Sequence, residues 1–309
     1  MVVTNTDGQS GTATGAYTYT PNPAPTVTAI SPATGPAGGG TPVTITGTGF
    51  LTGATVTFGG TSATGVTVVS GTSITATAPA HAAGAVNIVV TNTDSLNGTL
   101  SNGYTYTAGI SFVQAATGPA TIQSSNTSVA VAYTSVQTAG DLNVVVVGWG
   151  DTTSLVSSVT DTRGNIYTRA IGPTTTTGLQ QSIYYAKNIA AGANTVTVTF
   201  NKAAAYPDVR ILEYSGLDKT SPLDTGAAAS GSGTAANSGA VVTSSASELI
   251  FGAGTTATAF SSAGSGFVSR MINAYGNIAE DRIVAATGSY SATANNNSSG
   301  WVMQVVTFK

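Results

Sequence analysis

The stretch Gly35-Pro36-Ala37-Gly38-Gly39-Gly40-Thr41-Pro42-Val43-Thr44-Ile45-Thr46-Gly47-Thr48-Gly49-Phe50 is where the fold becomes legible. Its first half is turn material, because glycine reaches positive φ without steric cost and proline pre-sets φ. Its second half alternates β-branched apolar residues with threonine, the period-two pattern of a half-buried strand. The same rhythm appears on both sides, in Thr26–Ser31, Ala54–Phe58, Ile74–Pro79 and Gly84–Asn92. Helical spacing is nearly absent throughout. Strands with one apolar face must cover it, so an all-β chain of packed antiparallel sheets follows.

Val2-Val3-Thr4-Asn5-Thr6-Asp7 returns as Val89-Val90-Thr91-Asn92-Thr93-Asp94, and Tyr17-Thr18-Tyr19-Thr20 as Tyr104-Thr105-Tyr106-Thr107. Both matches share one offset (89 − 2 = 104 − 17 = 87), so this is a single repeat. The first copy lacks a body. Residues 1–20 therefore read as the closing strands of a preceding module, 21–25 as a stiff Pro-rich linker and 26–108 as one complete module.

The complete module opens Pro25-Thr26-Val27-Thr28-Ala29-Ile30-Ser31-Pro32 and continues through the quoted Gly-rich turn and Gly-Thr-Gly-Phe. It goes on through Val56-Thr57-Phe58-Gly59-Gly60 and Ile74-Thr75-Ala76-Thr77-Ala78-Pro79, and ends on Gly84–Asn92. In that order the segments resemble the IPT/TIG family, immunoglobulin-like modules of bacterial surface proteins, plexins and some transcription factors. The resemblance implies an immunoglobulin-like sandwich of about seven strands that serves as a spacer or contact surface, without catalysis.

From Gly109 to Lys309 the rhythm changes. About 14 short strand candidates predict a larger jelly-roll-like antiparallel β-sandwich over 109–309. Asp161-Thr162-Arg163-Gly164-Asn165 reads as a hairpin turn and the Ala/Gly/Ser-rich Thr225–Ser238 as a surface loop. Ala139-Gly140-Asp141-Leu142, Thr160–Asn165 and Leu212-Glu213-Tyr214-Ser215-Gly216 resemble a recurrent C-terminal β-sandwich of secreted bacterial multidomain proteins, which implies a location and no mechanism.

Composition excludes several functions. The 309 residues carry 7% charged side chains and no cysteine, against roughly 25% charged in an average soluble domain. Disulfides, thiolate metal sites and cysteine nucleophiles are absent. The net charge is −3 and every Lys or Arg lies at or after Arg163, so phosphate-backbone binding has no electrostatic footing. There is no apolar run of about 20 residues to span a membrane. His81 is the single histidine, placed in a turn. One histidine and no cysteine leave no ligand set for the usual zinc sites, and with no acid near His81 in sequence nothing points to a serine triad.

Aromatic side chains are the strongest candidates for ligand contact, since sugar rings stack on flat exposed faces. Trp149, Tyr184, Tyr185, Tyr206 and Tyr275 are singled out; Trp149 reads either as a ring at a sheet end near solvent or, the blander account, as core, and Trp301 as core. Tyr184 and Tyr185 must point to opposite faces, leaving one exposed. A structural calcium would need clustered oxygens, for which Asp151, Asp161 with Asn165, and Glu280 with Asp281 are candidates. No other cofactor and no catalytic residue is expected. Among Asp208, Glu213, Glu248, Glu280 and Asp281, nothing selects two acids on one face for glycoside hydrolysis.

The sequence thus points to a non-catalytic part of a bacterial extracellular or cell-surface multidomain protein, a spacer carrying a sandwich for adhesion or glycan contact. Two further readings are kept: a fibre subunit in which residues 1–20 add to a neighbouring sheet edge of a like subunit, and a glycan-active enzyme.

Overall fold

The computed structural model describes residues 1–17, 20, 22–118 and 124–309. Thr18, Tyr19 and Pro21, part of the repeated Tyr-Thr-Tyr-Thr and of the proline linker, fall outside the described residues. The chain divides into two compact units, Met1–Ala108 and Gly109–Lys309.

The first unit begins with β1 (Val2–Thr4) paired antiparallel to β2 (Ser10–Thr12). Then follow β3 (Thr26–Ser31), β4 (Thr34–Pro36), β5 (Pro42–Thr48), β6 (Thr55–Phe58), β7 (Thr61–Ser62), β8 (Thr64–Ser70), β9 (Ser73–Thr77), β10 (Gly84–Thr91) and β11 (Asn97–Thr107). They form two sheets, β3-β5-β9-β8 and β4-β11-β10-β6-β7. The alternation in Val43–Thr48 becomes alternate burial, with Val43 and Ile45 inside and the threonines outside. The core between the sheets includes Ile45, Phe58, Ile74, Ile88, Tyr104 and Tyr106. In the quoted turn Gly39 has φ +75°, and a Cβ there would come 2.5 Å from the Pro79–Ala80 backbone.

The sequence repeat is also a structural repeat. Val2, Val3 and Thr4 face Thr12, Gly11 and Ser10, and 87 residues later Val89, Val90 and Thr91 face Thr99, Gly98 and Asn97. The turns carry matching bonds. Asn5 N donates to Gln9 O as Asn92 N does to Leu96 O, and Gln9 N donates to Asp7 Oδ1 as Leu96 N does to Asp94 Oδ1. Surroundings differ: residues 1–17 are exposed along their whole length, whereas Val90, Asn92 and Tyr104 are buried.

The second unit contains β12 (Ser111–Thr117), β13 (Ser125–Ala132), β14 (Leu142–Trp149), β15 (Val156–Asp161), β16 (Thr168–Thr176), β17 (Leu179–Ala186), β18 (Thr195–Ala205) and β19 (Asp208–Ser215). It continues with β20 (Leu223–Asn237), β21 (Val241–Val242), β22 (Glu248–Thr256), β23 (Phe260–Ala263), β24 (Val268–Ile272), β25 (Ile278–Val284), β26 (Ser289–Tyr290) and β27 (Thr293–Phe308). The antiparallel sandwich expected for this region is present, and it is built twice. One large sheet runs β12-β19-β14-β17-β16 and the other β20-β27-β22-β25-β24, the same wiring in each half. Each half adds a smaller sheet: β13-β18-β15 in the first, and β21-β26 with β23 on the start of β27 in the second.

The two large sheets face each other, so β14 and β22 are buried on both sides and lose the alternation that marks half-buried strands. Along β14, Val144 and Val146 enter the core shared with Leu249, Phe251 and Phe308, while Val145 and Val147 enter the core under β18. A further core with Ile250, Met303 and Val305 lies on the other side of the second large sheet.

Two local expectations are corrected. Thr225–Ser238 is not a loop: Leu223–Asn237 is strand β20, paired with β27. Its small residues are needed for close packing, since a Cβ on Gly231 would come 2.6 Å from the Trp301 ring. Asp161–Asn165 does turn, with Gly164 at φ +75°, but it closes no hairpin, because β15 and β16 belong to different sheets.

Candidate functional site

A cleft of about 440 Å³ opens at one end of the two large sheets, within the usual size range of ligand pockets. Antiparallel register sets its position. Gly148 faces Asp208, Trp149 faces Gln180 and Gly254 faces Ile278, so the end of β14, the starts of β17 and β19, the end of β22 and the start of β25 coincide. Trp149, Tyr206 and Tyr275 all line it, together with Thr255, Thr256 and Asn277.

Trp149 is only 1% exposed, which agrees with the core reading and not with a solvent-near ring. Its indole lies edge-on to Phe200 with centroids 5.7 Å apart, and its Nε1–H has no hydrogen-bond partner. Tyr206, 54% exposed, sits at φ +46°, a left-handed conformation costly for a side chain with a Cβ. Its N–H donates to Ser124 O at 3.1 Å. The absence of a side chain at Gly150 lets the Tyr206 ring close in, since a Cβ there would lie 3.2 Å from Tyr206 Cδ2.

Buried polar groups hold the rim. Asp208 pairs with Arg210 at 2.9 Å, both buried. Burial depresses the Arg210 pKa and the Asp208 charge counters this. Arg210 Nη1 also donates to Gly254 O and Ile278 O, and its Nη2 to Thr255 Oγ1 at 3.0 Å, tying the two large sheets together. Asp208 accepts from Asn273 Nδ2 and from Asn277 Nδ2. Asn273 Oδ1 in turn accepts from the N–H groups of Tyr275 and Asn277, so the turn presenting Tyr275 is pinned to the buried ion pair. This network escaped the sequence reading. Its one available signal was Arg210 at an otherwise apolar strand position.

The remaining candidates lie elsewhere. Tyr184 and Tyr185 do enter opposite cores, but both are half-buried, Tyr185 against Phe308 at 5.5 Å, so neither is an exposed platform. The calcium candidates are occupied by donors. Asp151 accepts from the N–H groups of Thr153, Ser154 and Ala205 and the Ser154 hydroxyl, which hold its pKa far below the usual carboxylate range against burial. Asp161 accepts from the Asn165 and Asn194 amides and the Tyr167 hydroxyl, and its pKa is likewise lowered although burial opposes. Asp281 binds Arg270 at 2.7 Å and accepts from Tyr214 Oη, whereas adjacent Glu280 faces the other way and accepts from Gly264 N. Among the described residues no three His, Cys, Asp or Glu gather as a metal site.

Glu213 accepts from Gln114 Nε2 and Thr138 N rather than pairing with a cation on its strand. It does approach Asp141, whose pKa burial and the Glu213 charge push up to about 6. That pair is buried at the opposite end of β14 from the cleft. His81 stacks on Tyr106 at 5.1 Å with Nδ1 2.9 Å from Ala82 O, a packed turn histidine.

The model of the IPT/TIG domain family matches residues 25–108. That segment is an IPT/TIG domain. No curated protein matches the chain. Among solved structures, the full extracellular region of plexin A4 is similar at 20% identity and TM-score 0.26, covering 54% of this chain and 13% of that one. SGBP-B from a complex xyloglucan utilization locus in Bacteroides uniformis is similar at 11% identity and TM-score 0.24, covering 62% of this chain and 72% of its own. A crystal structure with a xylogluco-oligosaccharide is similar at 14% identity and TM-score 0.23, covering 62% and 57%. The IPT/TIG domain thus accounts for the first unit's sandwich.

Proposed function

We propose that this chain is a non-catalytic part of an extracellular or cell-surface multidomain protein, in which the IPT/TIG domain is a spacer and the cleft of the second unit contacts glycans. The observation carrying this reading is the convergence of Trp149, Tyr206 and Tyr275 on one cleft. Tyr206, 54% exposed, offers a flat ring face that suits the apolar face of a sugar, while the buried Trp149 closes the wall of the cleft. Catalysis finds no support in this cleft, whose lining offers amides and hydroxyls and, among the described residues, no acid or base. The hairpin β1–β2, which repeats the register of β10–β11, fits the closing strands of a preceding module in an array.

A glycan array probed with the full chain tests the reading. Binding should fall at least about tenfold on Tyr206→Ala, a loss of roughly 1.4 kcal/mol, and less on Tyr184→Ala. An array without signal at any saccharide would contradict it.

A further inference from the structure

We infer that the exposed hairpin β1–β2 is a docking surface for an IPT/TIG body other than residues 25–108, to which it supplies the closing strand pair. The inference is independent of the glycan cleft and rests on the closing-strand reading of the hairpin. The hairpin already has the backbone of the docked pair. Gly8 N donates to Asn5 O as Ser95 N does to Asn92 O. Gly8 and Ser95 both have positive φ, +85° and +68°, as do Gly15 and Asn102 at +68° and +50°. What differs is the company. Val3 is 54% exposed, whereas its equivalent Val90 is fully buried in the module core. Strand β10 pairs on its other edge with β6, Val90 facing Val56. Among the described residues β1 pairs with β2 alone, which leaves an edge open to strand addition. Asn92 bonds Gly49 O and Leu51 N across the module, and the exposed Asn5 carries the same amide at the same place in the hairpin.

Gly11 identifies the occupant. A glycine inside a strand weakens it, and such a glycine often marks a close approach of another backbone. At the equivalent Gly98 a Cβ would come 2.2 Å from Pro25 O, on the segment that enters the module. At Gly11 a Cβ would meet nothing within 4 Å among the described residues. The hairpin thus keeps the clearance that the entering segment of an IPT/TIG body requires, at the position where that segment would pass. A second copy of this chain offers no vacancy, because its own β10–β11 pair holds that place and is tethered there at high effective concentration. The occupant is therefore a body without closing strands of its own.

A chain in which residues 25–88 directly precede Val2 tests this, because Ile88–Val2 then repeats Ile88–Val89 and restores the 87-residue period. Its amide hydrogen exchange is compared with that of the 309-residue chain. The expected result is exchange at Val2–Asn5 slowed at least about tenfold in the extended chain, as befits a packed strand rather than a fraying one. Gly11→Val should abolish that protection, and Asn5→Ala should weaken it. In the 309-residue chain the valine has room and suits a strand, so exchange and unfolding midpoint stay as they were. Exchange at Val2–Asn5 that is equally fast in both chains, or an added body that stays unfolded, overturns the docking and the closing-strand reading together. Protection that survives Gly11→Val overturns the docking geometry and leaves the closing-strand reading standing. A 309-residue chain that sediments as a dimer and reverts to monomer on Gly11→Val makes a second copy the occupant, which also overturns the inference.

Discussion

Glu280 shows what a single buried carboxyl does to this fold. It is fully buried against Gly252, and burial raises its pKa from 4.5 to about 7 although Gly264 N donates to it. A folded-state pKa above the unfolded one means stability that is present in full below pH 4.5 and lost as pH rises through 7. A rise from 4.5 to about 7 corresponds to roughly 3 kcal/mol. Denaturant unfolding of Glu280→Gln should therefore show a smaller decline than the wild type between about pH 5 and 8, the remainder belonging to Asp141, whose pKa is also raised. Parallel pH profiles for the two proteins would remove this account of Glu280. At the same scale Asn92 is a lock: its Nδ2 donates to Gly49 O at 2.8 Å and its Oδ1 accepts from Leu51 N at 3.1 Å. Asn92→Ala should cost about 1–3 kcal/mol. The repeat-equivalent Asn5→Ala, in the exposed hairpin, should leave the unfolding midpoint unchanged.

Elements show where sequence reading succeeded and where it stopped. Half-buried strands of the IPT/TIG domain were legible because β5 alternates strictly and glycines punctuate the turns. In the second unit β14 and β22 carry apolar residues on both faces, so their runs show strand character without showing which faces are covered. Strand β20 was misread because its Ala, Gly and Ser carry no β-propensity of their own. They are there for the bulk of Trp301 on β27, which only the pairing reveals. Gly231→Val should accordingly destabilise the second unit by about 1–3 kcal/mol through overpacking, read as a lower denaturation midpoint. A value within about 0.5 kcal/mol of wild type would place the Trp301 contact elsewhere. The duplicated wiring of the second unit emerges from its strand order.

For the whole molecule, low charge and convergent aromatics matter together. Three of the five aromatic candidates meet in one cleft although they lie at 149, 206 and 275 in the chain, and the register of antiparallel strands brings them there. Residue type alone nominated them; topology separated them from Tyr184 and Tyr185, whose rings serve the two cores. Asp151 and Asp161 were nominated for calcium by turn chemistry, and turn chemistry is what occupies them, whereas Glu280 and Asp281, also read as turn residues, lie in strand β25. The central claim is that the cleft beside Trp149 receives the ligand. With two tryptophans in the chain, two-dimensional NMR of the full protein gives two indole N–H signals. On titration with a saccharide that binds, the Trp149 indole signal should shift while that of Trp301, buried under β20 and away from the cleft lining, stays in place. A saturating saccharide that leaves the Trp149 signal unmoved would contradict the account.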